Sequence, residues 1–127
     1  MSNFNSENNR AVWFDIPVAD LDRAAKFYRE VLNIGVSKET FGETSFCILD
    51  HRDGNGGCLV VNKAEIAAGG VLIYLNVNRR IRDAVGKVQS NGGSVVQDIH
   101  AIGPHGFRAV VLDSEGNRIA LHSEVDG

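Results

Sequence analysis

Apolar residues alternate with other residues in two stretches of the chain that lie 59 positions apart. Residues 12–18 read VWFDIPV, and residues 71–77 read VLIYLNV. In each stretch one set of alternate positions is wholly apolar and the other set is mixed, which is typical of a strand with one buried face. We therefore predict two strands whose mixed faces meet solvent or a cavity.

A helical pattern of apolar residues follows each predicted strand. Such a stripe covers the apolar face of a neighbouring strand, and a polar residue with a side-chain oxygen commonly caps the helix start. Glycine often supplies the left-handed residue that ends a helix. The predicted caps are Asp20 and Asn78, and the predicted terminating glycines are Gly35 and Gly92–Gly93.

The rest of each half predicts strands and turns. Residues 45–61 resemble residues 107–123, because both contain an apolar run ending in Leu-Asp, an acidic-Gly-Asn turn and a second apolar run. Gly and Asn tolerate positive φ, so these turns favour hairpins. Further strands are predicted near residues 35–40 and 93–99. Each half is therefore βαβββ.

Two βαβββ modules in tandem predict an α+β fold. One helix cannot cover both faces of a small sheet, so we expect a curved mixed sheet around a cavity, with the helices outside. The predicted organisation is a flexible tail over residues 1–9 and a single domain over 10–127. That domain divides into a module at 10–62, a linker at 63–70 and a module at 71–124.

Composition limits the classes of partner. The chain has 127 residues and a net charge of -3, which disfavours nucleic acid because phosphate binding requires a concentrated basic face. No run is long and apolar enough to cross a bilayer, and the polar start resembles no secretory signal, so we predict a cytoplasmic protein with no membrane partner. Cys47 and Cys58 lack CxxC spacing and are predicted to be reduced, buried thiols, with a shared sheet left open.

Two groups of motifs resemble a known family. Asp20-Leu21 with Phe27-Tyr28, and Asp113 with Gly116-Asn117 before the last strand, are similar to the vicinal oxygen chelate superfamily of glyoxalase I, bleomycin-resistance proteins and extradiol dioxygenases. The resemblance covers residues 10 to 124. It implies the paired βαβββ fold, and it is less informative about activity.

The resemblance also implies a divalent metal held by His or Glu from four strands. Those positions fall on Trp13, Leu72, Ala120 and, with the hairpins aligned on their Gly-Asn turns, Cys58. Side chains of Trp, Leu and Ala cannot bind a metal, and a single thiolate does not make a site for a hard ion. We therefore predict that the usual metal site is absent and that there is no cofactor.

Polar groups on the same strand faces are the remaining candidates for chemistry. Their shared alternation predicts convergence on the cavity, where Trp13 and Tyr74 would offer flat surface to a planar ligand. Arg108 follows a Gly-Pro-His-Gly loop and could meet an anionic ligand. The predicted ligand-binding residues are Trp13, Asp15, Cys58, Leu72, Tyr74, Asn76, Arg108, Arg118, Ala120 and His122.

Acid or base chemistry would fall to Asp15, Tyr74 or His122. A carboxylate near an imidazole can orient it as a general base, but the sequence favours the alternative, in which Asp15 pairs locally and His122 is solvated. A rebuilt metal site using His100, His105 and His122 is a further alternative. His51 lies in a turn and is predicted to be solvated.

Two functions follow from these observations. The first is metal-independent binding of a small hydrophobic or aromatic molecule in the cavity between the modules. The alternative is a lyase or isomerase related to lactoylglutathione lyase, using Asp15, Tyr74 or His122 or a rebuilt metal site. The resemblance also implies a homodimer, because the edges of such sheets often pair across a symmetric interface.

Overall fold

The computed structural model describes residues 9–127, so the predicted tail lies outside the described residues except for Asn9. Within that range none of the helices is long and apolar enough to cross a membrane. The helices are α1 (Leu21–Leu32) and α2 (Ile81–Val88). The strands are β1 (Asp15–Val18), β2 (Val36–Phe41), β3 (Thr44–Leu49), β4 (Cys58–Val61), β5 (Tyr74–Asn76), β6 (Ser94–Ala101), β7 (Phe107–Leu112) and β8 (Arg118–Ser123).

The strands form two mixed sheets of four strands each. Sheet 1 has the order β1-β4-β3-β2, and sheet 2 has the order β5-β8-β7-β6. β1 is parallel to its neighbour β4, and β5 is parallel to its neighbour β8. The other neighbouring pairs are antiparallel. The predicted α+β class and the repeat of two βαβββ units are confirmed.

The register of the two sheets is also the same. Asp15 lies opposite Cys58 in sheet 1, and Tyr74 lies opposite Ala120 in sheet 2. Tyr74 is 59 positions after Asp15, and Ala120 is 62 positions after Cys58, so both offsets found in the sequence are offsets between structurally equivalent residues. The two halves can therefore be compared residue by residue.

One hydrophobic core joins both modules. The apolar residues of β1, Ile16 and Val18, are buried in this core. Their counterparts in the second half, Leu75 and Val77, are buried in it as well. The helices cover these faces, and the buried apolar stripe of α1 contains Leu21, Ala24, Ala25, Phe27, Tyr28 and Val31. The stripe of α2 contains Ile81, Ala84 and Val88.

Two predicted strands are shorter than the alternation indicates. Trp13 and Leu72 precede β1 and β5. By the register of sheet 1, Trp13 would lie opposite Gly56, which comes before the start of β4. In the second half, the amide of Arg118 donates to the carbonyl of Ala67 in the linker, 3.3 Å away, so β8 turns to the linker at this point.

The helix ends agree with the sequence in part. Asp20 caps α1 by accepting a hydrogen bond from the amide of Arg23, as predicted. Asn78 does not cap α2, because its Oδ1 accepts from the amide of Glu124 and the hydroxyl of Ser123. Asn33, at φ 54°, closes α1 in the place predicted for Gly35, whereas Gly92 takes the predicted left-handed conformation at φ 94°.

Cys47 and Cys58 are buried free thiols on adjacent strands. Cys47 lies opposite Leu59, and Cys58 lies opposite Ile48. Residues that are direct partners share a face of a sheet, while successive residues alternate. The two thiols therefore point to opposite faces and do not meet across the sheet.

Candidate functional site

The turn between β7 and β8 attaches module 2 to module 1. Residues 113–117 form this turn, and the side chain of Glu115 is fully buried against the start of α1. Its carboxylate accepts hydrogen bonds from the amides of Ala19 and Asp20, both at 2.9 Å, and pairs with the guanidinium of Arg23 at 2.7 Å. Burial raises the pKa of Glu115, but these donors outweigh it and hold the pKa at about 2.

A second set of contacts in the 113–117 turn is deeper. The hydroxyl of Tyr28 donates to Asp113 at 2.5 Å, and the side-chain amide of Asn117 donates to Asp113 at 3.0 Å and to the carbonyl of Pro17 at 2.7 Å. Burial, with the nearby Asp113 carboxylate, raises the pKa of Tyr28 well above its usual value. The hydroxyl therefore stays protonated and serves as a structural donor.

The corresponding turn of module 1 borders an open cavity. Residues 50–57 form this turn between β3 and β4. It encloses a cavity of about 760 Å³ together with Phe14, the residues from Arg29 to Gly35 at the end of α1, and the three residues of β5. We call this space the large cavity.

A small cavity occupies the equivalent position in the other half. It has a volume of about 190 Å³ and is lined by β1, the linker and residues 117–119. By the offsets of 59 and 62, its residues 15–17 correspond to residues 74–76 of the large cavity, and residues 117–119 correspond to residues 55–57. The two cavities are therefore related by the internal repeat.

Two glycines shape the wall of the large cavity. A Cβ on Gly57 would approach the ring and the carbonyl oxygen of Phe14 to within 2.6 Å, and a Cβ on Gly56 would meet the ring of His51 at 2.5 Å. Arg118 and Ile119 hold these places in the small cavity. The 50–57 turn therefore takes a path that requires glycine, and the 113–117 turn does not.

One group of the predicted site residues lies at the module 1 side. The rings of Trp13 and His51 are 5.7 Å apart in an edge-to-face arrangement, so His51 packs against an aromatic ring and is half-buried, contrary to the predicted solvated turn residue. The thiol of Cys58 donates to the carboxylate of Asp15 at 3.2 Å. Burial, with this carboxylate, raises the pKa of Cys58 to about 11.

A second group lies on sheet 2. The guanidinium of Arg108 donates from Nη1 to the hydroxyl of Tyr74 and from Nε to Nε2 of His100, which is 3.0 Å away. Since Arg cannot accept, Nε2 of His100 is the acceptor and the Nδ1 proton bonds the carbonyl of Asp98 at 2.8 Å. Nε2 of His122 lies 2.7 Å from the carbonyl oxygen of His105.

Comparison with known proteins agrees with this architecture. Residues 10–33 match the family model for the bleomycin resistance protein-like N-terminal region. A glyoxylase-like domain-containing protein from Didymella fabae is 30% identical over 114 residues, covering 84% of this chain and 88% of that protein. The chain belongs to the glyoxalase/bleomycin-resistance family.

Solved structures of this fold are similar over nearly the full chain. A hypothetical protein, SA1046, from S. aureus has a TM-score of 0.71 and 22% identity, and the match covers 91% of this chain and 94% of that one. TnmS3, an antibiotic binding protein from Streptomyces sp. CB03234, has a TM-score of 0.68 and 20% identity, with 94% and 98% covered. Both likenesses concern the fold.

In this family member the predicted ligand-binding residues are divided between several places. Tyr74 and Asn76 line the large cavity, and Asp15 and Arg118 line the small one. Ala120 is fully buried opposite Tyr74. Trp13 and Cys58 belong to the group at the module 1 side, and Arg108 and His122 belong to the group on sheet 2. Leu72 is half-buried before β5.

The candidate acid and base residues do not form one constellation. Asp15 contacts Cys58, while His122 contacts His105 and lies near Tyr74, with ring centroids 6.3 Å apart. Among residues 9–127 no hydrogen bond or ion pair joins Asp15 to His122. The structure therefore gives the pair no shared proton.

The sequence did not indicate that the 50–57 turn and the end of α1 would line a cavity. The pattern DGNGG predicts only a hairpin turn, like the shorter SEGN pattern in the second half. The available signal was the extra glycine, because a strand-to-strand connection with adjacent glycines often marks a close backbone approach.

The family's usual metal does not fit the residues at its positions. Trp13, Leu72 and Ala120 have no donor atom for a divalent ion, and the proton of the Cys58 thiol is held by burial and by Asp15. Within the described part of the chain, no group of three or more His, Cys, Asp or Glu side chains is arranged to hold a metal ion. The predicted alternative of His100, His105 and His122 is not such a group.

Proposed function

We propose that this family member binds a small hydrophobic or aromatic molecule in the large cavity, without a metal. The observation that carries the proposal is the cavity itself. At about 760 Å³ it lies in the range of roughly 300–1,000 Å³ that is usual for small-molecule sites. It also lies between the modules, where such sites are frequent.

The walls of the large cavity suit an apolar ligand with a few polar groups. Phe14, Leu32, Ile34 and Leu49 contribute apolar surface, and Tyr74 contributes an aromatic ring that is 47% exposed. Charged residues of both signs also line the cavity, and they are Arg29, Glu30, Asp50 and Arg52. Apolar walls with a small number of polar groups are typical of sites for drug-sized molecules.

The similarity to TnmS3 supports binding as the function, since that protein is described as an antibiotic binding protein and has the same fold. The chemistry of the residues at the family's metal positions supports metal independence. A ligand held only by apolar surface and hydrogen bonds does not require the missing donors.

A thermal-shift screen with small aromatic compounds tests the proposal. A ligand that binds only the folded protein raises its Tm, by an amount that grows with concentration. We expect hits for the wild-type protein, and we expect Glu30→Trp, which places a large ring at the cavity wall, to abolish them. Lys26→Trp is the matched control, because Lys26 is exposed on the same helix and does not line the cavity.

The same compounds should raise the Tm equally with and without EDTA. Hits that persist in Glu30→Trp would place binding elsewhere, and hits that require added metal would contradict metal independence.

We also propose that the protein is a homodimer. The mixed face of sheet 1 carries the acids Asp15 and Glu39, and the mixed face of sheet 2 carries Arg108, Arg118 and His122. These opposite charges favour contact between sheet 1 of one copy and sheet 2 of the other, twice over in a symmetric pair. Light scattering should give twice the mass of 13.8 kDa, and Arg108→Glu should shift it towards the monomer.

A further inference from the structure

The outer edge of β5 has backbone groups with no partner among residues 9–127. Within that range β5 is the edge strand of sheet 2 and pairs with β8 alone. The amide of Ala120 donates to the carbonyl of Ile73, and the amide of Val77 donates to the carbonyl of His122, both at 2.9 Å. Alternate residues of a strand direct their backbone groups to opposite edges, so the N–H and C=O groups of Tyr74 and Asn76 face away from β8.

The equivalent edge of β1 is covered. There the amide of Cys58 donates to the carbonyl of Phe14, and the amide of Asn62 donates to the carbonyl of Val18, so Pro17 faces outward. Pro17 has no N–H, and its carbonyl accepts a hydrogen bond from the side-chain amide of Asn117 at 2.7 Å. A carboxamide belonging to the chain is therefore docked at the small cavity.

In the described part of the chain, no such carboxamide reaches the edge of β5. Asn76 is the counterpart of Pro17, and Asn55 is the counterpart of Asn117. The Nδ2 group of Asn55 donates instead to the carbonyl of Ala11, and its Oδ1 is buried with no hydrogen-bond partner among the described residues. Asn55 and Asn76 both line the large cavity.

The large cavity thus contains an unmatched set of hydrogen-bonding groups. The set consists of one acceptor, the carbonyl of Asn76, and one donor, the N–H of Asn76, and Asn76 is exposed at the cavity. In β1 the corresponding carbonyl, that of Pro17, is matched by a carboxamide of the chain, so a ligand with a carboxamide would make at β5 the contact that Asn55 does not make.

We infer that the ligand of the large cavity carries a primary carboxamide on an aromatic ring, and that this carboxamide docks on the edge of β5 as Asn117 docks on Pro17. The inference rests on the proposed function and specifies its ligand class. One amide N–H donates to the carbonyl of Asn76. The amide oxygen accepts from the N–H of Asn76, and the ring lies against the apolar walls.

Three probes of one shape test the ligand class by calorimetric titration. They are 2-naphthamide, N,N-dimethyl-2-naphthamide and methyl 2-naphthoate, which share the ring and the carbonyl, while only the first has N–H donors. We expect 2-naphthamide to bind severalfold more tightly than the other two, since the loss of one hydrogen bond has an effect of this size.

Two variants of Asn76 test the docking position. Asn76→Pro removes the N–H as Pro17 does in β1, and Asn76→Ala removes only the side chain, including its hydrogen bond to the amide of Asn78. We expect Asn76→Pro to weaken binding of 2-naphthamide severalfold relative to Asn76→Ala. If Asn76→Pro does not fold, the ¹H–¹⁵N resonance of Asn76 in the wild-type protein replaces it, and 2-naphthamide should shift this resonance where naphthalene, which has no carbonyl, does not.

The outcomes separate the inference from the proposed function. Equal affinities for the three probes, all lost in Glu30→Trp, would overturn the carboxamide inference and leave the binding function standing. If no probe binds the wild-type protein at millimolar concentration, the proposed function falls, and the inference falls with it. A preference for 2-naphthamide with no response at Asn76 would overturn the docking position.

Discussion

The large and the small cavity occupy equivalent positions in the two halves of this chain, yet their volumes differ fourfold, at about 760 Å³ and about 190 Å³. Eight residues connect β3 to β4 beside the large cavity, and five connect β7 to β8 beside the small one. The shorter connection folds against α1 and places a carboxamide on β1. The longer connection passes close to Phe14 at Gly57 and leaves β5 uncovered among the described residues.

This difference shows how a repeated scaffold acquires separate roles for its halves. The sheets keep the same order and register, so the divergence is concentrated in the connections between hairpin strands. Loops tolerate changes of length better than strands do, because they lie at the surface and satisfy their backbone groups locally. One connection became a structural contact and the other became the wall of a cavity.

The largest expected effect of this difference concerns the first acidic residue of each turn. Asp113→Ala should destabilise the fold by about 3 kcal/mol, because it leaves the buried hydroxyl of Tyr28 without an acceptor and removes bonds to the amides of Glu115 and Asn117. Asp50→Ala should cost less than about 0.5 kcal/mol, because Asp50 is exposed. Urea unfolding of both variants measures the contrast, and equal losses would contradict it.

A smaller effect is expected for Glu115, together with a pH dependence. The pKa of Glu115 is lowered from its ordinary 4.5 to about 2, so its stabilisation is complete above about pH 4.5 and is lost as the pH falls towards 2. Glu115→Gln should cost about 2 kcal/mol at pH 7 and should flatten the loss of stability between those pH values.

Glu30→Gln serves as the control for Glu115→Gln, since Glu30 borders the large cavity and is exposed. Its unfolding free energy should follow the wild-type pH profile. If the unfolding free energy of Glu115→Gln had the same pH dependence as that of the wild-type protein, the carboxylate would not stabilise the contact between the 113–117 turn and α1.

The smallest effect concerns the thiol that distinguishes Cys58 from its counterpart Ala120. A thiolate is the form that alkylates, and the pKa of Cys58 is about 11, so iodoacetamide should label it slowly at pH 8 and faster as the pH rises towards 11. Asp15→Asn removes the charge of the carboxylate that accepts the thiol proton and should increase the rate at pH 8 by a few-fold. Mass spectrometry of the labelled peptide follows the rate, and rapid labelling of the folded wild-type protein at pH 8 would contradict the burial of this thiol.

The repeat, the register and the first helix cap followed from the sequence because they depend on local patterns. The alternation around Asp15 and Tyr74 and the acidic-Gly-Asn turns sufficed to equate Cys58 with Ala120. The contact between Tyr28 and Asp113 did not follow, because the two residues are 85 positions apart and no periodicity relates them.

The residues that line the large cavity could not be predicted for a related reason. Its size depends on what Asn55 and Asn117 bind, and those partners are fixed by the tertiary structure. The cap predicted at Asn78 fails for the same reason. Its position before α2 suits a cap, but Ser123 and Glu124 donate hydrogen bonds to its side chain.

The hydrogen bond between Asn117 and Pro17 spans 100 positions of the chain and has a consequence for synthesis. As the protein leaves the ribosome, β1 and α1 emerge first, and the side chains that cover the edge of β1 and pair with Tyr28 emerge 85 to 100 residues later. Non-local contacts of this kind delay folding. A nascent chain stalled before residue 113 should therefore remain a substrate for chaperones and proteases, and release of the last hairpin completes both modules together.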